Sequence, residues 1–105
     1  NQTRELLTNY GKIDIIWFDF SCGEMTGEKW EASKLVKMVR ELQPGIIIDN
    51  RLGGHMERDQ PEVYAGDFDG PEQVIPHSGV FDQKGRPMPW EACITLNNDW
   101  GYSTN

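Results

Sequence analysis

An α/β fold built on a parallel sheet is what this sequence predicts, and three features carry the prediction. Two short, nearly continuous apolar runs, Ile13-Asp14-Ile15-Ile16-Trp17-Phe18 and Ile46-Ile47-Ile48, have the β-branched and aromatic character of strands buried on both faces. Between them the apolar period lengthens to that of a helix. Both runs end in polar residues, Asp19 in the first and Asp49-Asn50-Arg51 in the second. Their reactive side chains therefore stand at the carboxyl ends of strands, where α/β barrels keep their active sites.

The elements follow in order. Residues Asn1 to Leu7 read as the middle of a helix, with Leu6, Leu7 and Tyr10 near its end and Gly11 as the stop. A chain that opens inside a helix is expected to be a piece of something larger. After the first strand, Phe20 to Gly27 reads as a loop. From Glu28 to Leu42 the spacing predicts an amphipathic helix, with Leu35, Met38, Val39 and Leu42 on one stripe and Lys34, Lys37, Arg40 and Glu41 largely off it. Pro44-Gly45 ends that helix, and strand, helix, strand completes a βαβ unit. Leu52 to Pro89 is irregular and rich in Gly, Pro and Asp; loops so long are uncommon unless they serve a function. Trp90 to Leu96 is a last strand candidate. Three strands fall short of a closed eight-stranded barrel, which takes about 250 residues. The chain is thus a fragment of a barrel or a small open α/β domain.

Composition narrows the partners. A formal net charge of −7 over 105 residues opposes binding to nucleic acid or an anionic membrane, because counterion release would have the wrong sign. No apolar run approaches the roughly 20 residues of a membrane-spanning helix. Hydrophobic residues at 37% and charged residues at 26% fit an ordered globular chain. Cys22 and Cys93 lack metal-ligand spacing and read as free thiols.

Few residues invite chemistry. Asp19, beside Trp17, Phe18 and Phe20, is a carboxylate placed expensively at the end of a buried strand, although an Asp that caps the following loop would look the same. Arg51 offers a planar fork for a carboxylate or for vicinal hydroxyls. Glu72, held after Pro71, is a candidate proton donor. Asp67-Phe68-Asp69-Gly70 begins like a calcium loop, but its twelfth position is Ser78 rather than Glu, so no metal is expected. His55 and His77 have no partner at useful spacing, and no nucleophile elbow, P-loop or dinucleotide fingerprint occurs. Trp90, Trp100 and Tyr102 read as core, though aromatic walls that stack on sugars share that signature. Two carboxylates, Asp19 and Glu72, with an arginine form the minimal kit for glycoside hydrolysis, and for several other reactions.

A family resemblance sharpens this. Glu5-Leu6-Leu7-Thr8-Asn9-Tyr10-Gly11 followed by Lys12-Ile13-Asp14-Ile15-Ile16-Trp17-Phe18-Asp19 resembles the nucleophile strand of the α-L-fucosidases of glycoside hydrolase family 29, with Trp-x-Asp at its centre. Leu42-Gln43-Pro44 before the Ile run and Asn50-Arg51 resembles the family's next strand. Gly66-Asp67-Phe68, Pro71-Glu72-Gln73 with Ile75-Pro76, Pro89-Trp90-Glu91-Ala92-Cys93 and Asn98-Asp99-Trp100-Gly101-Tyr102 then follow in the family's order.

The resemblance implies a partial (β/α)8 barrel, residues 1–105 being a fragment from the C-terminal part of the catalytic barrel. It implies exo-acting hydrolysis of α-L-fucosides with retention. Asp19 falls on the nucleophile, Glu72 on the acid/base with Glu91 as the alternative, and Arg51 on a sugar-binding position. Trp17 and Trp100 fall on pocket-wall positions, Trp100 near the C6 methyl of fucose. The implied partner is a fucosylated oligosaccharide or glycoconjugate, with no metal or organic cofactor, and the implied location is secreted, periplasmic or lysosomal. The family's sugar-binding histidines belong to earlier strands that this chain lacks, so the rest of the barrel is expected to be a necessary partner. The 105 residues alone are expected to be inactive and not to fold cooperatively, since an unclosed barrel exposes strand edges and apolar faces. Two departures stand out: Phe20 where Gly usually follows the nucleophile, and Asp49-Asn50 in place of Asn-Asp. A bulky Phe20 is the feature that favours the alternative, a catalytically silent relative that binds fucose without cleaving it.

Overall fold

The computed structural model describes residues 2–19, 22–54 and 60–104. Asn1, Phe20 and His55, which figure in the sequence reading, lie outside the described residues.

Helix α1 (Gln2–Asn9) buries Leu7 and stops before Gly11, whose φ of +82° a side chain would resist. Gln43 then ties three segments together. Its side-chain amide donates to the carbonyls of Leu7 and Gly11, both at 2.9 Å, and its Oε1 accepts the Ile13 N–H at 2.8 Å. One amide thus satisfies backbone groups that the end of α1 and the entry to the first strand would otherwise leave open.

Strands β1 (Ile15–Ile16) and β2 (Ile47–Ile48) pair in parallel, Ile15 with Ile47 and Ile16 with Ile48. The connection between them differs from the single helix expected over Glu28 to Leu42. A 3-10 turn (Gly27–Trp30) is separated from α2 (Ala32–Leu42) by Glu31, which takes a left-handed φ of +54°. The turn is pinned first: Gly27 N–H donates to Leu52 O at 2.6 Å, and a Cβ there would meet Tyr64 Oη at 2.8 Å. The backbone then re-aims at Glu31 to lay α2 along the sheet. The buried face of α2 is correspondingly rotated from the expected stripe. Ala32, Val36, Met38 and Val39 are buried, whereas Leu35 and Leu42 are half-buried at the edge. Leu7, Ala32, Val36, Val39, Ile46, Ile48 and Leu52 form one core between the helices and the sheet.

The strands are not buried on both faces. Ile48 is fully covered and Ile16 half-covered on the helix side, but their neighbours Ile15 and Ile47 are 56% and 42% exposed on the other. The continuous apolar run is a property of the sequence; only one of its two faces meets protein within this chain.

The stretch from Leu52 to Pro89, expected to be irregular, supplies the next strand position of the same sheet. Asp49 bridges to Phe68, Asp69 to Trp90 and Glu72 to Cys93, all in parallel. The bonds that carry this extension run from Asp67 N–H to Ile48 O (2.7 Å), Asp69 N–H to Pro89 O (2.9 Å), Glu91 N–H to Asp69 O (2.9 Å) and Gln73 N–H to Cys93 O (2.8 Å). Its residues, Asp, Phe, Asp, Gly, Pro and Glu, show no strand-like apolar alternation, which is why sequence pattern misses it. A hairpin of β3 (Val80–Phe81) and β4 (Pro87–Met88) follows in the same stretch. Among the described residues, the last candidate, Trp90 to Leu96, pairs only at Trp90 and Cys93, and Leu96 is wholly exposed. Trp100 and Tyr102, read as core, are exposed as well, at 61% and 95%.

Candidate active site

The parallel register sets out the site. Side chains two residues apart on a strand share a face. From the Ile15–Ile47 pair, the exposed face therefore continues to Trp17 beside Asp49 and then to Asp19 beside Arg51. The Asp49–Phe68 bridge then puts Gly70 beside Arg51 on the same face, and the Glu72–Cys93 bridge puts Glu91 beside Gly70 and Cys93 beside Glu72. Three levels result: Trp17 with Asp49 and Phe68, then Asp19 with Arg51, Gly70 and Glu91, then Glu72 with Cys93.

Contacts agree with that register. Arg51, only 3% exposed, brings Nη1 to 3.0 Å from Glu72 Oε2 and 3.5 Å from Asp19 Oδ1. Its Nη2 donates to Gly70 O at 2.9 Å, and its guanidinium lies over the Trp17 ring at 4.3 Å. A planar cation stacked on an indole and hydrogen-bonded to a carbonyl has little freedom left. Gly70 makes room for it, since a Cβ there would meet Arg51 Nε at 3.5 Å and Trp17 at 3.7 Å. Trp17 is held in turn by Glu91, whose Oε1 accepts the indole N–H.

Asp19, Glu72, Arg51, Trp17 and Trp100 line one cleft of about 550 Å3 together with Cys22 and Cys93. Five sequence-predicted residues, drawn from positions 17 to 100, are brought together. Glu91 is not among the lining residues; it stands beside Gly70, with its carboxylate engaged by Trp17. His77 is exposed, and His55 and Phe20 lie outside the described residues. Asp67, the start of the calcium-like tetrapeptide, is clamped by Arg40 Nη2 at 2.7 Å to both oxygens and accepts the Ile48 N–H at 2.8 Å. Its role is to fasten α2 to β2.

Sequence pattern gave no particular part to Asp49 or to the two thiols. Cys22 and Cys93 are free, as expected, but both face the cleft. Asp49 is 1% exposed, and its Oδ1 accepts the Phe18 N–H at 2.8 Å. Its Oδ2, like Arg51 Nε, is buried with no hydrogen-bond partner among the described residues. Burial pushes the Asp49 carboxyl up to about 7; the Phe18 N–H and Arg51 oppose the rise, and the negative charges of Glu91 and Asp19 add to it. The signal for these residues was the alternation along each strand, which becomes legible only once the register is known.

Comparison with known proteins decides the family. The Alpha-L-fucosidase family model matches residues 1–105. The chain belongs to the α-L-fucosidase family. Among solved structures, α-L-fucosidase isoenzyme 1 from Paenibacillus thiaminolyticus is 62% identical, with a TM-score of 0.83 over 98% of this chain and 24% of that one. An α-L-fucosidase from Bacteroides thetaiotaomicron, solved as a trapped covalent intermediate with 2-fluoro-fucosyl fluoride, is 29% identical with a TM-score of 0.69, covering 100% of this chain and 25% of that one. The Lactobacillus casei enzyme in complex with its α-L-fucose product is 28% identical with a TM-score of 0.59, covering 98% and 27%. No curated protein sequence matches. The chain thus spans about a quarter of the length of these fucosidases. Family 29 enzymes have a TIM-barrel catalytic domain, and the parallel sheet with its helices corresponds to part of it.

Proposed function

We propose that residues 1–105 are a segment from the C-terminal part of a catalytic barrel, and that the complete protein is an exo-acting α-L-fucosidase working with retention. The observation that carries this reading is the sharing of Arg51 Nη1 by Asp19 and Glu72 inside a cleft walled by Trp17 and Trp100. Two carboxyls that reach one guanidinium nitrogen are compatible with the roughly 5–5.5 Å separation of retaining glycosidases. The trapped covalent intermediate of the Bacteroides relative supports the same chemistry.

In this mechanism the Asp19 carboxylate attacks the anomeric carbon of an α-L-fucoside as the bond to the leaving oxygen breaks, and Glu72 gives its proton to that oxygen. Water then attacks the same carbon from the opposite side. Glu72 takes the water's proton, Asp19 leaves, and two inversions yield retention. Arg51 orients both carboxylates and offsets their charge, while Trp17 and Trp100 supply apolar walls for the sugar. Glu72 is preferred over Glu91 as the acid/base because it lines the cleft and shares Arg51 Nη1 with Asp19, whereas the Glu91 carboxylate is engaged with the Trp17 indole. The substrate is the terminal fucose of a glycan or glycoconjugate, and no metal or organic cofactor takes part.

The test is the Asp19→Gly variant of the complete enzyme. Hydrolysis of an aryl α-L-fucoside should fall roughly 10⁴-fold or more. Azide should restore turnover and yield the β-fucosyl azide, the product of a single inversion at the vacated position. Undiminished hydrolysis would remove Asp19 from the role.

A further inference from the structure

The parallel ladder between β1 and β2 is diverted one residue before Asp19. Asp49 N–H donates to Ile16 O at 3.3 Å, as the ladder requires. The next bond of a regular parallel pair would run from Phe18 N–H to the backbone carbonyl of Asp49. Phe18 N–H instead reaches Asp49 Oδ1 at 2.8 Å. The carbonyl is packed on its other side against Gly66, where a Cβ would lie 2.2 Å from Asp49 O, and Gly66 N–H is held by Asn50 Oδ1 at 2.8 Å. A side chain has thus taken over a ladder bond, and the strands can part at their carboxyl ends, where Asp19 and Arg51 must leave space for a sugar.

From this geometry we infer that Asp49 is a positioning residue for the nucleophile: by accepting the Phe18 N–H it orients the peptide that precedes Asp19 and so aims the Asp19 carboxyl into the cleft. The inference rests on the fucosidase reading above. Asp49 touches neither the sugar nor the reacting atoms. It acts through the backbone, and its 1% exposure places it behind the cleft. Displacing a reacting group by about 1 Å is enough to cost on the order of 100-fold in rate, and loss of this one acceptor frees the last tethered peptide before Asp19.

The experiment is a cycle in the complete enzyme. Asp49→Ala should lower kcat on an aryl fucoside by about 100-fold with KM nearly unchanged. Asp49→Asn, which keeps an acceptor at the Oδ1 position, should recover all but about threefold of that loss. In the Asp19→Gly background assayed with azide there is no carboxyl left to aim, so Asp49→Ala should cost little more. If alanine prevents folding, Asp49→Leu keeps the side chain's shape while deleting the acceptor, and the same comparison is made with it. An equal loss with and without Asp19, or no loss in either, overturns the inference. Failure of Asp19→Gly itself to lose activity would instead overturn the fucosidase reading, so the two outcomes are distinct.

Discussion

Two clefts of similar size handle charge in opposite ways. The one holding Asp19, about 550 Å3, gathers two carboxylates onto a single buried guanidinium, with the Asp49 carboxyl buried behind it. The other, about 440 Å3, lies between the 60–67 segment and the β3–β4 hairpin, and among its lining are Glu62, Asp82, Lys84 and Arg86. There each acid has a cation of its own, Glu62 with Lys84 and Asp82 with Arg86. Lys84 and Arg86 hold the carboxyls of Glu62 and Asp82 below the usual range, whereas burial holds that of Asp49 above it. Acids that are matched one to one have no unmet demand to direct at a ligand. Acids that share one cation in a walled cleft do, and this contrast separates a surface ion-pair network from a site built for chemistry.

The largest expected effect breaks the shared-cation arrangement. Glu72→Ala should lower hydrolysis of an unactivated fucoside roughly 10²–10⁴-fold. The loss should be much smaller on an aryl fucoside whose leaving group needs no proton. Glu91→Ala should show no such dependence on the leaving group, because it removes only the acceptor for Trp17. If the leaving-group dependence appears in Glu91→Ala instead, the two carboxylates have been assigned the wrong roles.

An intermediate effect tests the opposite signs of the pKa shifts. A carboxyl whose folded pKa is raised from 3.8 to about 7 makes the folded state bind more protons than the unfolded one between those values. Its contribution to stability therefore declines as pH rises from about 4 to about 7 and is level above that. The full span corresponds to about 4 kcal/mol. Asp49→Asn removes the titration, so the Tm difference between variant and wild type should move in the variant's favour across that window. A pH-independent difference would show that Asp49 does not titrate there.

The smallest effect belongs to the hairpin cleft. Lys84→Ala should leave turnover and Tm near those of the wild-type enzyme, because Glu62 and Lys84 are both largely exposed. It should also let the Glu62 carboxyl return toward its ordinary value, measurable by NMR titration. Any stability from Glu62 and Asp82 is present above their unfolded pKa values and is lost as pH falls, the reverse of Asp49. A large loss of turnover in Lys84→Ala would mean the second cleft takes part in the reaction.

Much of this arrangement was legible in the residues. Leu7 and Gly11 marked the end of α1, the Ile runs marked β1 and β2, and the residues at their carboxyl ends pointed to one cleft. The strand position at Phe68–Glu72 was not legible, because Gly70 and Glu72 face the site and Pro71 breaks the pattern. Nor was the exposure of Ile15 and Ile47, since a run of isoleucines reads the same whether one face or two are covered.

Local chemistry along the chain was enough to specify α1, the body of α2, the parallel pairing and the residue types at each strand end, because periodicity and turn residues act over a few positions. The family follows from the order of its motifs. What required the folded chain was the register between segments as distant as Trp17 and Glu91, since hydrogen bonding between strands is a non-local choice. That choice brought Glu72 and Asp19 onto one guanidinium, engaged Glu91 with Trp17, and turned Asp49 from an unremarkable strand-end residue into the buried acceptor behind the proposed nucleophile.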